Sequence, residues 1–315
     1  MATTTTSTNA QLLKAYWRDK FLTEYQSTLV LKKLGMMGNV PEGTGMTVSW
    51  FQMSNMATGG TISQSADPAS TTLSSTLLSA TLAQVSQNVA ISDVMVRQAA
   101  PNFMDEVMKR VGRAAAETED NLILASIFTA GGMAMYGGTA AFRNSIADDA
   151  SFDLSIPVVR RAVRKLEKAN ALAHPLATQG AKFIGVINAD AKYDLIGDSK
   201  WVDTVVNTPV NINQINSNSI GTIYGVTWFQ TQQAPTLTNS GSASADVVQT
   251  YIEGGEHFGI AEAVGTEVIT QMPSPLSHAG LYSTVAYKYL TAYKELHPSG
   301  MVRIETSTAA ETRAQ

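Results

Sequence analysis

The chain has 315 residues, long enough to bury roughly 75% of its unfolded surface in a core without any staple. Its net charge is −4, its pI is about 5.6 and no cluster of Lys and Arg dominates a segment, which argues against tight nucleic-acid binding through phosphate neutralisation. It contains no cysteine, so disulfides, thiolate metal sites and cysteine nucleophiles are excluded together.

The first ten residues, MATTTTSTNA, are uncharged and rich in Thr, and taken alone are expected to be disordered. No signal-peptide core or run of eighteen apolar residues follows, so the chain is expected to stay in the cytoplasm where it is made, with no membrane contact. Next comes an arm with partly helical apolar spacing through Tyr16, Trp17, Phe21 and Leu22, ending at Gly35. From Gly43 to Ser92 fifty residues carry a single formal charge, Asp67, in a chain that is 15% charged. Strand-type residues at Met46 to Met53 and alternation from Leu82 to Ser92 predict a long hairpin around a Gly/Ser/Thr tip of about thirty residues. A tip of that length demands either a function or a partner that holds it.

The strongest helix begins after Pro101, with Asn102 as its cap and Asp105 and Glu106 in the first turn, where the helix dipole favours them. Its apolar residues recur at three-and-four spacing, and it stops at Gly131 and Gly132 after about 28 residues, roughly 40 Å. A second helix, Ser155 to Ala171, pairs an apolar stripe with Arg160, Arg161, Arg164, Lys165 and Lys168. The stripe suits phosphate, but an isolated face of this kind is read first as solvated. Beyond it, KFIGVINADAKYDLI reads as strand, turn and short helix, and the remainder as strands closed by a polar tail. No repeat at a period of 20 to 50 residues is visible.

Chemistry is sparse. The four histidines are not at metal-pair spacing, and the glycine-rich GGMAMYGG follows a helix instead of preceding one, so it is read as a helix stop and loop. The cluster EGGEH, with Glu253, Glu256 and His257, is taken as a turn with surface carboxylates. Asp190, Asp194 and Asp198 are taken as one polar face of a short helix. No catalytic, metal or cofactor site is expected.

The order of parts resembles the major capsid proteins of tailed bacteriophages, which implies an α+β chain with the Hong Kong 97-like fold. Local stretches resemble the N-four-like branch: PEGTGMTVSWFQM, RAAAETEDNLILASIF, FIGVINADAKYDLIGD, IGTIYGVTWFQTQQAP and the closing SPLSHAGLYSTVAYKYLTAYKELHPSGMVRIETS. Where that branch usually has Asp-Pro-Leu, this chain has Ser274-Pro275-Leu276. The resemblance implies an N-terminal arm (1–40), an E-loop hairpin (41–92), a peripheral domain with a spine helix (93–154), an axial domain (155–265) and a return to the peripheral domain with the tail (266–315).

It also implies a structural subunit that self-assembles into hexamers and pentamers of a virion shell around double-stranded DNA. Separate scaffolding and portal proteins, and decoration proteins in some heads, would be its partners, and its contact with the genome would be weak and non-specific. An E-loop lies on a neighbouring subunit, where an unpaired buried charge costs several kcal/mol, which accounts for the uncharged segment. Candidate inter-subunit contacts are then Tyr16, Trp17, Phe21 and Leu22 in the arm and Trp50, Phe51, Met53, Met56 and Ile62 in the loop. Some relatives crosslink through an E-loop lysine, but no lysine lies between Lys33 and Lys109, so the shell is expected to be non-covalent. The arm is short for a built-in scaffold, which implies a separate one and no amino-terminal cleavage. The alternatives are an encapsulin-type nanocompartment shell and a Ser/Thr-rich surface binding protein.

Overall fold

A computed structural model of the chain describes residues 10–41, 45–54, 56, 58–61, 67, 70–98, 103–129, 131–178, 180–201, 221–271 and 279–309. In chain order the first half forms α1 (Ala10–Thr28), a 3-10 turn (Leu31–Leu34), β1 (Met36–Asn39), β2 (Thr47–Met53), β3 (Ser75–Thr81), β4 (Ala83–Ser92), α2 (Asp93–Gln98) and α3 (Phe103–Ile123). The second half forms β5 (Met133–Tyr136), α4 (Ile156–Lys168), β6 (Phe183–Ile187), α5 (Ala189–Gly197), β7 (Thr222–Ile223), β8 (Val226–Gln230), β9 (Thr236–Leu237), β10 (Val247–Glu253), β11 (Phe258–Gln271), β12 (Tyr282–Glu295) and β13 (Met301–Thr306).

The strands make two sheets and a separate hairpin. One sheet runs β1-β11-β12-β4, and the other runs β5-β13-β10-β6-β8-β7 with β9 beside β10. Helices α1 and α3 cover the first sheet, where Phe21, Tyr25, Met108, Val111 and Ala115 pack with Tyr287 and Tyr289. On the second sheet, β6 sends Phe183 and Ile187 to the face that α4 and α5 cover. The intervening Ile184 and Val186 point the other way, toward Phe128, Tyr251, Phe258 and Leu31. This period-two split is what a strand buried on both faces requires.

Several expectations need correction. The α-helical part of α3 covers 21 residues and then widens into a π-helical turn, Leu124–Phe128, in which Thr129 N–H donates to the Leu124 carbonyl at 2.9 Å. The inserted residue lets Leu124, Ile127 and Phe128 all reach the core. The hairpin partner of β2 is β3, in register Trp50 to Leu78 and Phe51 to Leu77. Strand β4 instead pairs along its whole length with β12, because Leu82 turns inward between the two strands and is buried against Ala261 and Ala292. GGMAMYGG is more than a loop: its centre is β5, parallel to β13.

In EGGEH only Glu256 is on the surface; Glu253 is fully buried at the end of β10, and His257 is buried as well. The aspartates of α5 are fasteners: Asp198 accepts the N–H groups of Ile156 and Lys200, each at 2.8 Å, and Asp194 accepts that of Ala309 at 3.2 Å. Asp198 thereby satisfies a donor at the start of α4, where Ser155 makes no side-chain cap. Asn102, Ile62, the first nine residues and Ser274-Pro275-Leu276 lie outside the described residues.

Candidate assembly surfaces

The arm lies on its own spine helix. Gly112 makes the approach possible, since a Cβ there would come within 2.7 Å of the Phe21 carbonyl oxygen. Phe21 is fully buried and stacks on Tyr25, with ring centroids 5.9 Å apart. Trp17 and Leu22 are half-buried against the same cluster. Tyr16 is exposed, with its hydroxyl donating to Asp105 at 2.9 Å and Lys20 above its ring. The arm residues named from sequence are thus brought together on one helix, with the inner ones spent on the chain's own core.

Two adjacent acids of α3 lock the end of the arm. Glu119 binds Lys32 at 2.9 Å and accepts from the hydroxyls of Tyr25 and, at 3.4 Å, Tyr293. Lys32 also reaches Glu262, at 3.5 Å. Asp120 accepts the backbone N–H groups of Val30, Leu31 and Lys32 at 2.9, 3.1 and 3.3 Å. Burial pushes the Asp120 carboxyl up to about 6, against these three donors, which favour its charged form. Burial and the Glu119 charge raise the Tyr25 hydroxyl far above its ordinary range, so it serves as a donor. Sequence reasoning missed this network; the only signal was an acidic pair, Glu119-Asp120, on the apolar side of the helix.

The hairpin divides by parity. Val48, Trp50 and Gln52 face inward and their neighbours outward, as strand alternation dictates. Trp50 is half-buried on β11, at a place where a Cβ on Gly259 would come within 2.7 Å of its indole nitrogen. Phe51 is 65% exposed, and across the ladder its partner Leu77 is 64% exposed. Met53, Met56 and Leu73 are also exposed. Of the loop residues named from sequence, Trp50 therefore belongs to the chain's own interior surface, while Phe51, Met53 and Met56 stand free. Leu77 and Leu73 were missed, since assigning β4 as the partner strand placed them in the tip.

Beneath the hairpin the two sheets are joined by adjacent crossings, 254–257 and 296–300. His257 carbonyl accepts from Leu296 and His297 at 2.8 and 3.0 Å, and Gly254 N–H donates to Gly300 at 2.8 Å. The His257 Nδ1–H donates to the His297 carbonyl at 2.9 Å, and burial holds its imidazole below the ordinary range. His297 in turn sits 2.9 Å from the Gln52 amide nitrogen. A cavity of about 280 Å³ lies here, lined by Met36, Trp50, Phe51, Met53 and Leu296 among others. Among the described residues no group of three or more His, Asp or Glu side chains is gathered to hold a metal, and no helix is long and apolar enough to cross a membrane. The outward face of the hairpin is apolar.

Comparison with solved structures gives the same architecture. The capsid of Ralstonia phage GP4 is similar with a TM-score of 0.66 at 15% identity, over 90% of this chain and 93% of that one. The cyanophage Pam1 capsid is similar with a TM-score of 0.66 at 15% identity, over 91% and 93%. A virus-like particle from Pyrococcus furiosus is similar with a TM-score of 0.53 at 9% identity, over 93% and 99%. No curated protein matches by sequence. The fold is that of the Hong Kong 97-like capsids. A family model described as phage capsid protein matches residues 76–304, which takes in nearly all of β3, α3, the first sheet except β1 and the second sheet except the end of β13; the chain belongs to the phage capsid protein family, a structural component of the virion shell.

Proposed function

We propose that the chain assembles as hexamers and pentamers of an icosahedral head enclosing double-stranded DNA, each hairpin lying on a neighbouring subunit. The observation that carries this reading is the outward face of β2 and β3. Phe51, Met53 and Leu77 form an apolar surface on a hairpin whose other face is already seated on its own chain. Exposed apolar patches of this kind mark interaction sites, and aromatic and Met residues are enriched at them. The arm, by contrast, is occupied by α3 from Phe21 onward, and of the arm residues named from sequence Tyr16 and the outer edges of Trp17 and Leu22 remain for a neighbour. Scaffolding and portal proteins are expected as separate partners, with assembly in the host bacterial cytoplasm.

Electron microscopy and sedimentation of the purified chain test the reading, with Phe51→Ser/Leu77→Ser as the variant. Shells or capsomer rings from the unaltered chain that fail to form with the variant, while its unfolding temperature is unchanged, are the expected result. A monomer in both cases overturns it. A larger deletion must spare 83–92, since β4 is integral to the first sheet. The second reading, a nanocompartment shell without a genome, draws on the similarity to the Pyrococcus furiosus particle, which is weaker than that to the phage capsids. Particle diameter and nucleic-acid content separate the two.

A further inference from the structure

In a chain of net charge −4, α4 carries Arg160, Arg161, Arg164, Lys165 and Lys168 against the single carboxylate Glu167. Its apolar residues, Ile156, Val158, Val159, Ala162 and Leu166, are buried in the core, which turns the cations outward. Arg160, Arg161, Arg164 and Lys168 are exposed, and among the described residues none of the five cations is in an ion pair. Helix α3 behaves oppositely: its exposed Arg110 and Arg113 bind Glu106 and Glu117 one turn away. Arg161 and Lys165 do no more than donate to the carbonyls of Gly138 and Ala134.

A second observation lies beside the row. The Arg160 guanidinium stacks over the ring of Tyr224, 5.5 Å from its centroid. Tyr224 is exposed and sits at φ +48, followed by Gly225 at φ +77. A left-handed conformation is costly for a residue with a side chain, yet it is used here to present an aromatic ring next to a cation. Exposed Lys182 joins this corner through its N–H, which donates to the Gly225 carbonyl at 2.9 Å.

We propose that this face of α4 is a contact for the phosphate backbone of nucleic acid, an inference that rests on the enclosed-genome reading above. Arg160, Arg164 and Lys168 follow one another at one-turn intervals of about 6 Å, so the row spans about 12 Å. A duplex presents about seven phosphate charges over that length. A second copy of the chain is the poorer match. Many of its carboxylates are engaged at home: Glu119 and Glu262 on Lys32, Glu305 on Arg143 and Arg303, Asp120 and Asp198 on backbone N–H groups. Three or four exposed cations give a weak, salt-sensitive and sequence-blind contact. That suits a lining that holds a genome and must release it.

The test is binding of a labelled random-sequence duplex to unassembled full-length chain, read by fluorescence anisotropy across a range of salt. The logarithm of affinity should fall against the logarithm of salt with a slope of about −3, and Arg160→Gln/Arg164→Gln/Lys168→Gln should remove nearly all of it. Arg110→Gln/Arg113→Gln should leave the slope intact. An unchanged slope in the triple variant, or no binding by the unaltered chain at low salt, overturns the proposal. So does a triple variant whose DNA binding is unchanged but whose particles sediment differently, which would make the row a subunit contact. Electron microscopy judges the shell separately: intact shells from a chain whose subunits ignore DNA would sink this contact and leave the capsid reading standing.

Discussion

Among the described residues, Glu253 is a fully buried carboxyl without a hydrogen-bond partner on either oxygen, and burial raises it well above the ordinary range. A group whose folded-state value is raised costs stability as pH rises past its ordinary range of about 4.5, because the folded state must keep the proton or bury a charge. Glu253→Met should therefore stabilise the subunit by about 1–3 kcal/mol at neutral pH, read as a higher unfolding temperature with a margin that shrinks toward pH 4. Asp120 has the same sign. With its value raised to about 6, its contribution is lost as pH rises from about 4 to about 6, and Asp120→Asn should flatten the stability curve over that window.

Glu305 has the opposite sign. Burial acts to raise it, but Arg143, which donates at 2.7 Å, and the charge of Arg303, ion-paired at 2.9 Å, outweigh burial and hold it below the ordinary range. Its contribution is present above about pH 4.5 and fades as the solution becomes more acidic. Removing one partner of a buried pair leaves the other charge uncompensated, so Glu305→Gln should cost about 3 kcal/mol at pH 7. That loss is read as a fall in unfolding temperature which shrinks as the solution becomes more acidic. None of these three residues was legible as special in the sequence. A buried carboxylate in a strand looks like a surface one until the neighbouring strands are known, and EGGEH was misread for that reason.

At the scale of elements, α1 packs on α3 within the subunit, whereas the β2–β3 hairpin leaves an apolar face exposed. Gly112→Val should push the arm off the spine helix, since its Cβ would collide with the Phe21 backbone. Overpacking of this kind costs about 1–3 kcal/mol, and limited proteolysis should then cut within the arm. In the hairpin, Trp50→Ala should lower subunit stability, whereas Phe51→Ser should leave it within about 0.5 kcal/mol and act only on assembly. Equal effects of the two on unfolding temperature would contradict the division of the hairpin into an inner and an outer face. The spine helix, the second helix and the strand–helix unit at Phe183 were readable because each carries a long periodic pattern. The partner of β2 was not, because β3 and β4 run on with one residue between them and both alternate. Only the long-range pairing of β4 with β12 decides where the hairpin ends.

Over the whole molecule, the two sheets meet at the crossings around His257 and His297, and the first sheet extends away from that point through β11 and β12. Each of these strands has 14 residues, about 46 Å at strand rise. The junction therefore stands at the root of a long ribbon. A tilt of about 5° at the histidine crossings carries the far end about 4 Å, a shift comparable to a side-chain contact. Subunits that differ only by such a tilt would present the same residues to neighbours standing at different distances. Geometric tolerance of this sort would let one sequence occupy unequal positions on a curved surface without a second set of contacts.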